Sequence, residues 1–270
     1  MALSLTKAWD EAHRFITREA ALLVPMALTL MVMPSALFEL VAPQRATAQT
    51  GPGAWMLALP VFALFTLLGS LAITRLAFRD GLSVGEALRA GLRRLPVAIG
   101  ASLILLGAAM LAMMPVAPML PSAPGVRASV SGGAALFMMV YATVLVAGAF
   151  FLFVRLLLVN IVIMAEAVGP IDAMKRSFAL TRGHFLKLTT LLVMFLVISI
   201  IVGSAVSLAG GAVFVGVGKL LGLEDIGHVL LALLSGTVSA AVSVYFVVTL
   251  TMIYRQIIGP DRPNLSRVFD

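Results

Sequence analysis

Gly169-Pro170-Ile171-Asp172-Ala173-Met174-Lys175-Arg176-Ser177-Phe178-Ala179-Leu180-Thr181-Arg182 is followed, after Gly183 and His184 alone, by the apolar stretch 185–208. The first part reads as a basic amphipathic helix. Pro170 suits a first turn, where its missing N–H costs nothing. Ile171, Met174 and Phe178 recur at helical spacing as an apolar stripe, with Asp172, Lys175, Arg176 and Arg182 on the polar side. The second part is long enough to cross a bilayer, since about 20 apolar residues span a hydrocarbon core. A surface helix leading straight into a crossing is therefore the pattern to seek elsewhere in the chain.

It occurs twice more. In the segment 4–16, Leu5, Ala8, Trp9, Ala12, Phe15 and Ile16 form the stripe, with Lys7, Asp10, Glu11 and Arg14 between them. In the segment 83–95, Val84, Ala87, Leu88, Gly91, Leu92 and Leu95 oppose Glu86, Arg89 and Arg93, and Arg94 adds charge. Ser83 with Glu86 three residues on has the form of a capping box, which marks a helix start. Glu86-Ala87-Leu88-Arg89 aligns with Asp172-Ala173-Met174-Lys175, and Lys7-Ala8-Trp9 is a weaker echo. The three segments read either as copies, with units of 4–80, 81–167 and 168–258, or as the generic basic loops of an evenly spanning protein.

Six apolar runs follow from hydropathy: 20–41, 54–78, 96–120, 134–154 with an extension to 165, 185–208 and 229–254. The chain of 270 residues is 61% hydrophobic and 11% charged, against about 25% charged residues in soluble domains. The expected fold is an all-α integral membrane protein, a single polytopic domain over 1–270. It comprises six transmembrane helices arranged as three hairpins, each preceded by a cytoplasmic amphipathic interfacial helix. The first run follows a long amphipathic lead containing Asp10, Glu11 and Glu19, unlike the short basic lead of a signal peptide, so it reads as a retained anchor.

Sixteen of the nineteen Lys and Arg residues fall on one side of these crossings; Arg45, Arg127 and Lys219 fall on the other. The positive-inside rule then places both termini in the cytoplasm. The net charge of +7 is distributed beside apolar runs. That favours membrane phosphates over nucleic acid as the partner. With no cysteines, disulfides and thiolate chemistry are excluded. His13, His184 and His228 are divided between the two sides, so no metal cluster is expected. No catalytic triad, carboxylate dyad or cofactor-binding motif is evident.

The stretch from Arg155 to Lys187 resembles bacterial inner-membrane proteins of the YciC type, and the membrane domain fused to some glycerophosphoryl diester phosphodiesterases. The shared pattern is an Arg, an acidic residue about three helical turns on, then Gly-Pro, Ala, a basic pair, Ser, Leu-Thr-Arg-Gly and an aromatic. The resemblance implies an architecture in the bacterial cytoplasmic membrane rather than an activity. In the fused enzymes, hydrolysis belongs to a separate soluble barrel, and this chain has no soluble stretch that could form one.

Arg155, Asn160 and Glu166 are the polar residues expected at membrane depth. A 32-residue helix from 134 to 165 would measure about 48 Å, too long for an upright crossing. Either Arg155 marks the interface and snorkels while 156–165 continues beyond it, or the helix tilts and Arg155 is buried against a partner; the first is favoured. Asn160, Glu166 and Asp172 are candidate partners of Arg176 and Arg182. Arg89, Arg93, Arg94, Lys175, Arg176 and Arg182 are expected to meet lipid headgroups. The function expected is non-enzymatic: organising membrane lipids or membrane-protein partners through these basic helices. The alternative is a carrier or flippase-like transporter of an amphiphile. The glycine-rich stretch 203–218 suggests close helix packing, with a re-entrant loop over 209–221 as the other reading.

Overall fold

A computed structural model describes residues 3–41, 56, 58–79, 81–115, 132–222 and 224–259. Arg45, Arg127, Arg262 and Arg267, and parts of several apolar runs, lie outside the described residues. All described elements are helical. They are α1 (Leu5–Arg18), α2 (Ala20–Ala27), α3 (Met33–Val41), α4 (Ala58–Phe78), α5 (Val84–Met113), α6 (Gly132–Leu156), α7 (Val159–Ala165), α8 (Pro170–Thr181), α9 (Phe185–Gly210), α10 (Gly216–Leu220) and α11 (Glu224–Ile258). A wide π-turn, Leu28–Val32, joins α2 to α3, and another, Gly211–Val215, joins α9 to α10. Six of the resulting helical stretches are long and apolar enough to span a membrane.

Local chemistry accounts for the joints. Pro34 would press on the Leu30 carbonyl in a regular α-turn, and the π-turn just before it opens the ladder there. The Ser83 hydroxyl accepts from the Glu86 amide at 3.3 Å while the Glu86 carboxylate accepts from the Ser83 amide at 2.9 Å, so α5 starts with a full capping box.

Deep burial is concentrated at one end. Residues 71–77 of α4, 161–165 of α7 and 248–254 of α11 are all buried. The threonines among them keep their hydroxyls satisfied within the helix, Thr74 on the Ser70 carbonyl at 2.7 Å and Thr251 on that of Val247 at 2.8 Å. This is also the end that carries Arg75, Arg155, Arg176 and Arg255. We call it the basic end.

The amphipathic segments dock here in one register. Each buries a pair of small residues four apart: Ala8 and Ala12, Ala87 and Gly91, Ala173 and Ser177. The first pair lies on α1, which packs on α11; the second opens α5, which packs on α4; the third lies on α8, against α6 and α7. A Cβ added at Gly91 would sit 3.2 Å from Leu68 Cδ1, so glycine there permits the close α4–α5 approach.

Several expectations change in detail. The segment 83–95 is not a separate helix, since α5 passes through Pro96 without a break. Packing on both sides, with Gly91 and Ala98 buried, holds the helix across the lost hydrogen bond. α1 does not offer its stripe to a bilayer surface. It runs antiparallel along α11, with the Ser4 amide donating to Gln256 Oε1 at 3.3 Å and His13 Nδ1 2.9 Å from the Tyr245 hydroxyl. Trp9 lies between Phe195 and Tyr245, with ring centroids at 5.7 and 5.8 Å.

α9 and α11 pack together, as do α3 and α4. α5 packs chiefly on α4, while α6 packs on α8 and α9. Among the described residues, a hydrogen bond from the Tyr141 hydroxyl to the Ala112 carbonyl links the two. The stretch 209–221 continues as helix through the π-turn rather than re-entering. Of its glycines, Gly210 packs against Leu231 and Leu234, whereas Gly203, Gly211 and Gly216 have no neighbour a Cβ would touch. The tighter approach comes from α11, where a Cβ on Gly227 would strike the Phe214 carbonyl.

Candidate functional site

The long fourth run is interrupted by a two-residue turn at Leu157 and Leu158. α6 ends at Leu156, and α7 restarts at Val159. Nothing in Arg155-Leu156-Leu157-Leu158 signals a break; tertiary hydrogen bonds sustain it. The Ser177 hydroxyl donates to the Arg155 carbonyl at 2.9 Å, and the Thr181 hydroxyl lies 3.3 Å from it, its one proton shared with the Ser177 and Phe178 carbonyls at 3.0 and 3.1 Å. Both hydroxyls come from the buried face of α8 and take the place of ladder donors. Such replacement matters most where water cannot supply it.

α8 is tied down a second time by charge. Arg176 Nε donates to both oxygens of Glu166, at 3.0 and 3.1 Å. The Tyr254 hydroxyl adds a bond to Glu166 Oε1 at 3.0 Å. Tyr254 is 1% exposed and meets the edge of Phe78 at 5.6 Å. Glu166, at the end of α7, thus joins α8 to α11. Charge-assisted bonds of this kind are among the stronger ones. Of the three acceptors considered for Arg176, it is Glu166 that it reaches. Arg176 thus engages Glu166 through Nε while its side chain stays partly exposed.

Arg155 has a different environment. Its guanidinium carbon lies 4.8 Å from the ring centre of Phe178, 5.2 Å from that of Phe151 and 5.7 Å from that of Phe185. Its Nε and Nη1 are buried and have no hydrogen-bond partner. Each cation–π contact is worth about 0.5–2 kcal/mol. Arg155 is thus half-buried against three aromatic rings at the basic end. It does not pair with Glu166, although the helix bends between them.

The comparisons extend along almost the whole chain. A family model described as a domain of unknown function (DUF7847) matches residues 3–257. The chain belongs to that family. No curated protein and no solved structure matches it.

The remaining residues named from the sequence are dispersed over this DUF7847 fold. Arg89, Arg93, Lys175 and Arg182 are exposed at the basic end, Arg94 is half-buried on α5, and Asn160 is half-buried on α7. On α8 the stripe residues Ile171 and Phe178 are turned away from the protein, and a second, small-residue face is the one that docks. Ala173, Ser177 and Thr181 face the protein, while Ile171 and Phe178 are 56% and 38% exposed. Small polar residues win the buried face because they fit close and carry the hydroxyls that α6 requires. Among the described residues, no three His, Asp or Glu side chains converge as metal ligands. Sequence reasoning missed Tyr254, Ser177, Thr181 and the phenylalanine trio. One signal was available: Phe151 and Arg155 are four apart, hence on one helix face.

Proposed function

We propose that this chain is a non-enzymatic, multi-pass protein of the bacterial cytoplasmic membrane, with both termini in the cytoplasm. It organises membrane lipids or membrane-protein partners through its basic helices. One observation carries this reading. α8 is anchored by Glu166 and by the Arg155 carbonyl, yet presents Ile171 and Phe178 outward, with Lys175 and Arg182 exposed beside them. An apolar face flanked by exposed cations matches the chemistry of the headgroup–acyl boundary. The recurring small-residue pair supports three copies over 4–80, 81–167 and 168–258. The resemblance to the YciC type supports the same setting. A carrier of an amphiphile is the second reading, supported by the exposed apolar surface along α5 and α6.

The test is anionic-lipid enrichment around the protein in mixed phosphatidylcholine–phosphatidylglycerol vesicles. Replacing Arg89, Arg93 and Lys175 with Gln removes about 1 kcal/mol of attraction per charge at low salt. Enrichment should fall in the triple variant and in the wild type at high salt. Equal enrichment in both proteins at all salt concentrations contradicts the proposal. Arg176 is left intact because its loss would also unpair Glu166.

A further inference from the structure

Arg155 holds a charge that the described residues do not neutralise. Its guanidinium offers five N–H donors, but Nε and Nη1 are buried without acceptors, and none of the salt bridges among the described residues involves it. Glu166, the nearest acid along the chain, is occupied by Arg176 and Tyr254. Aromatic rings attract a cation but do not complete its hydrogen bonds, so its remaining donors call for an acceptor.

The position of Arg155 specifies that partner's form. It closes α6, a helix whose turns above it expose Val146, Phe150, Leu152 and Phe153. A cationic fork thus lies at the foot of an exposed apolar rod. Phe151, Phe178 and Phe185 wall it against water.

We propose that Arg155 binds the phosphodiester of a single phospholipid whose acyl chains lie along α6. With Nε and Nη1 buried, Nη2 is the nitrogen left to donate to a phosphate oxygen, in a charge-assisted bond. The low-dielectric wall strengthens the contact. Free phosphate shares the headgroup chemistry but would leave the apolar rod unused. This inference rests on the lipid-directed reading above, but it concerns one fixed lipid rather than the general enrichment due to Arg89, Arg93 and Lys175.

Native mass spectrometry of the full chain, stripped of lipid in detergent and then titrated with phosphatidylglycerol, distinguishes the two. The wild type should retain one tightly held lipid. Arg155→Gln should lower its affinity by about tenfold or more, and Arg155→Lys by less, since an ammonium keeps the positive charge. Phe178→Ala, at a partly exposed position, should weaken retention several-fold without disturbing the fold, so the inference stays testable if Arg155→Gln does not fold. The Arg89, Arg93 and Lys175 triple variant should keep the bound lipid even where vesicle enrichment falls. Undiminished retention in both Arg155→Gln and Phe178→Ala overturns the inference. Complete displacement by millimolar inorganic phosphate overturns the lipid assignment.

Discussion

The basic end and the outer halves of α5 and α6 are built from similar apolar residues, yet they are packed in opposite ways. At the basic end, residues 71–77, 161–165 and 248–254 are buried without interruption. Along α5 beyond Ala101, and along most of α6, side chains are exposed around the whole helix, including Leu106, Leu111, Met139 and Val144. In water the second region would be untenable. In a bilayer, acyl chains cover it at little cost, because lipid tails are as apolar as leucine. What separates the regions is therefore packing and polar satisfaction rather than hydrophobicity. The basic end has small-residue docking, the Glu166 pairing and the serine and threonine bonds to the Arg155 carbonyl; the outer helices have one tyrosine bond.

Matched truncations should expose this contrast most strongly. Ile163→Ala, at a fully buried position of α7, should cost about 2–5 kcal/mol through the cavity it leaves. Leu111→Ala, 71% exposed on α5, should stay within about 0.5 kcal/mol. Reversible unfolding in detergent–lipid micelles measures both. Equal costs would mean that the outer helices pack against protein rather than lipid.

A smaller effect is expected from the polar tie. Glu166→Ala removes the carboxylate that Arg176 Nε and the Tyr254 hydroxyl donate to, at about 1–3 kcal/mol. Glu166→Gln keeps an acceptor for Tyr254 and should cost less. If neither change lowers stability in the same assay, the carboxylate does not join α8 to α11.

Much of the architecture was legible because membrane residence writes itself into composition. The apolar runs marked all six long helices, Ser83 and Glu86 marked the start of α5, and Gly169-Pro170 marked that of α8. What escaped was decided by contacts distant in sequence. The break after Arg155 depends on Ser177 and Thr181, and no local residue announces it. The stripe of α1 reads equally well as lipid-facing or protein-facing; Tyr245 and Phe195, more than 180 residues away, decide for protein. On α8, periodicity picked out the outward Ile171 and Phe178, but not the docking face of Ala173, Ser177 and Thr181, which size and hydroxyl chemistry select. The site was less legible than the fold. Glu166 and Arg176 were visible as candidate partners, but Tyr254 and the rings around Arg155 emerge only from the tertiary structure.

The central claim is a bundle of six crossings with its packed basic end on the cytoplasmic face. Because the chain has no cysteine, single-cysteine variants can be labelled from either side of sealed membrane vesicles without background. Cysteines replacing Ser83, Lys175 and Arg262 should react only from the cytoplasmic side, and those replacing Arg45, Arg127 and Lys219 only from the opposite side. Labelling of positions 83 and 175 from opposite faces would contradict the account.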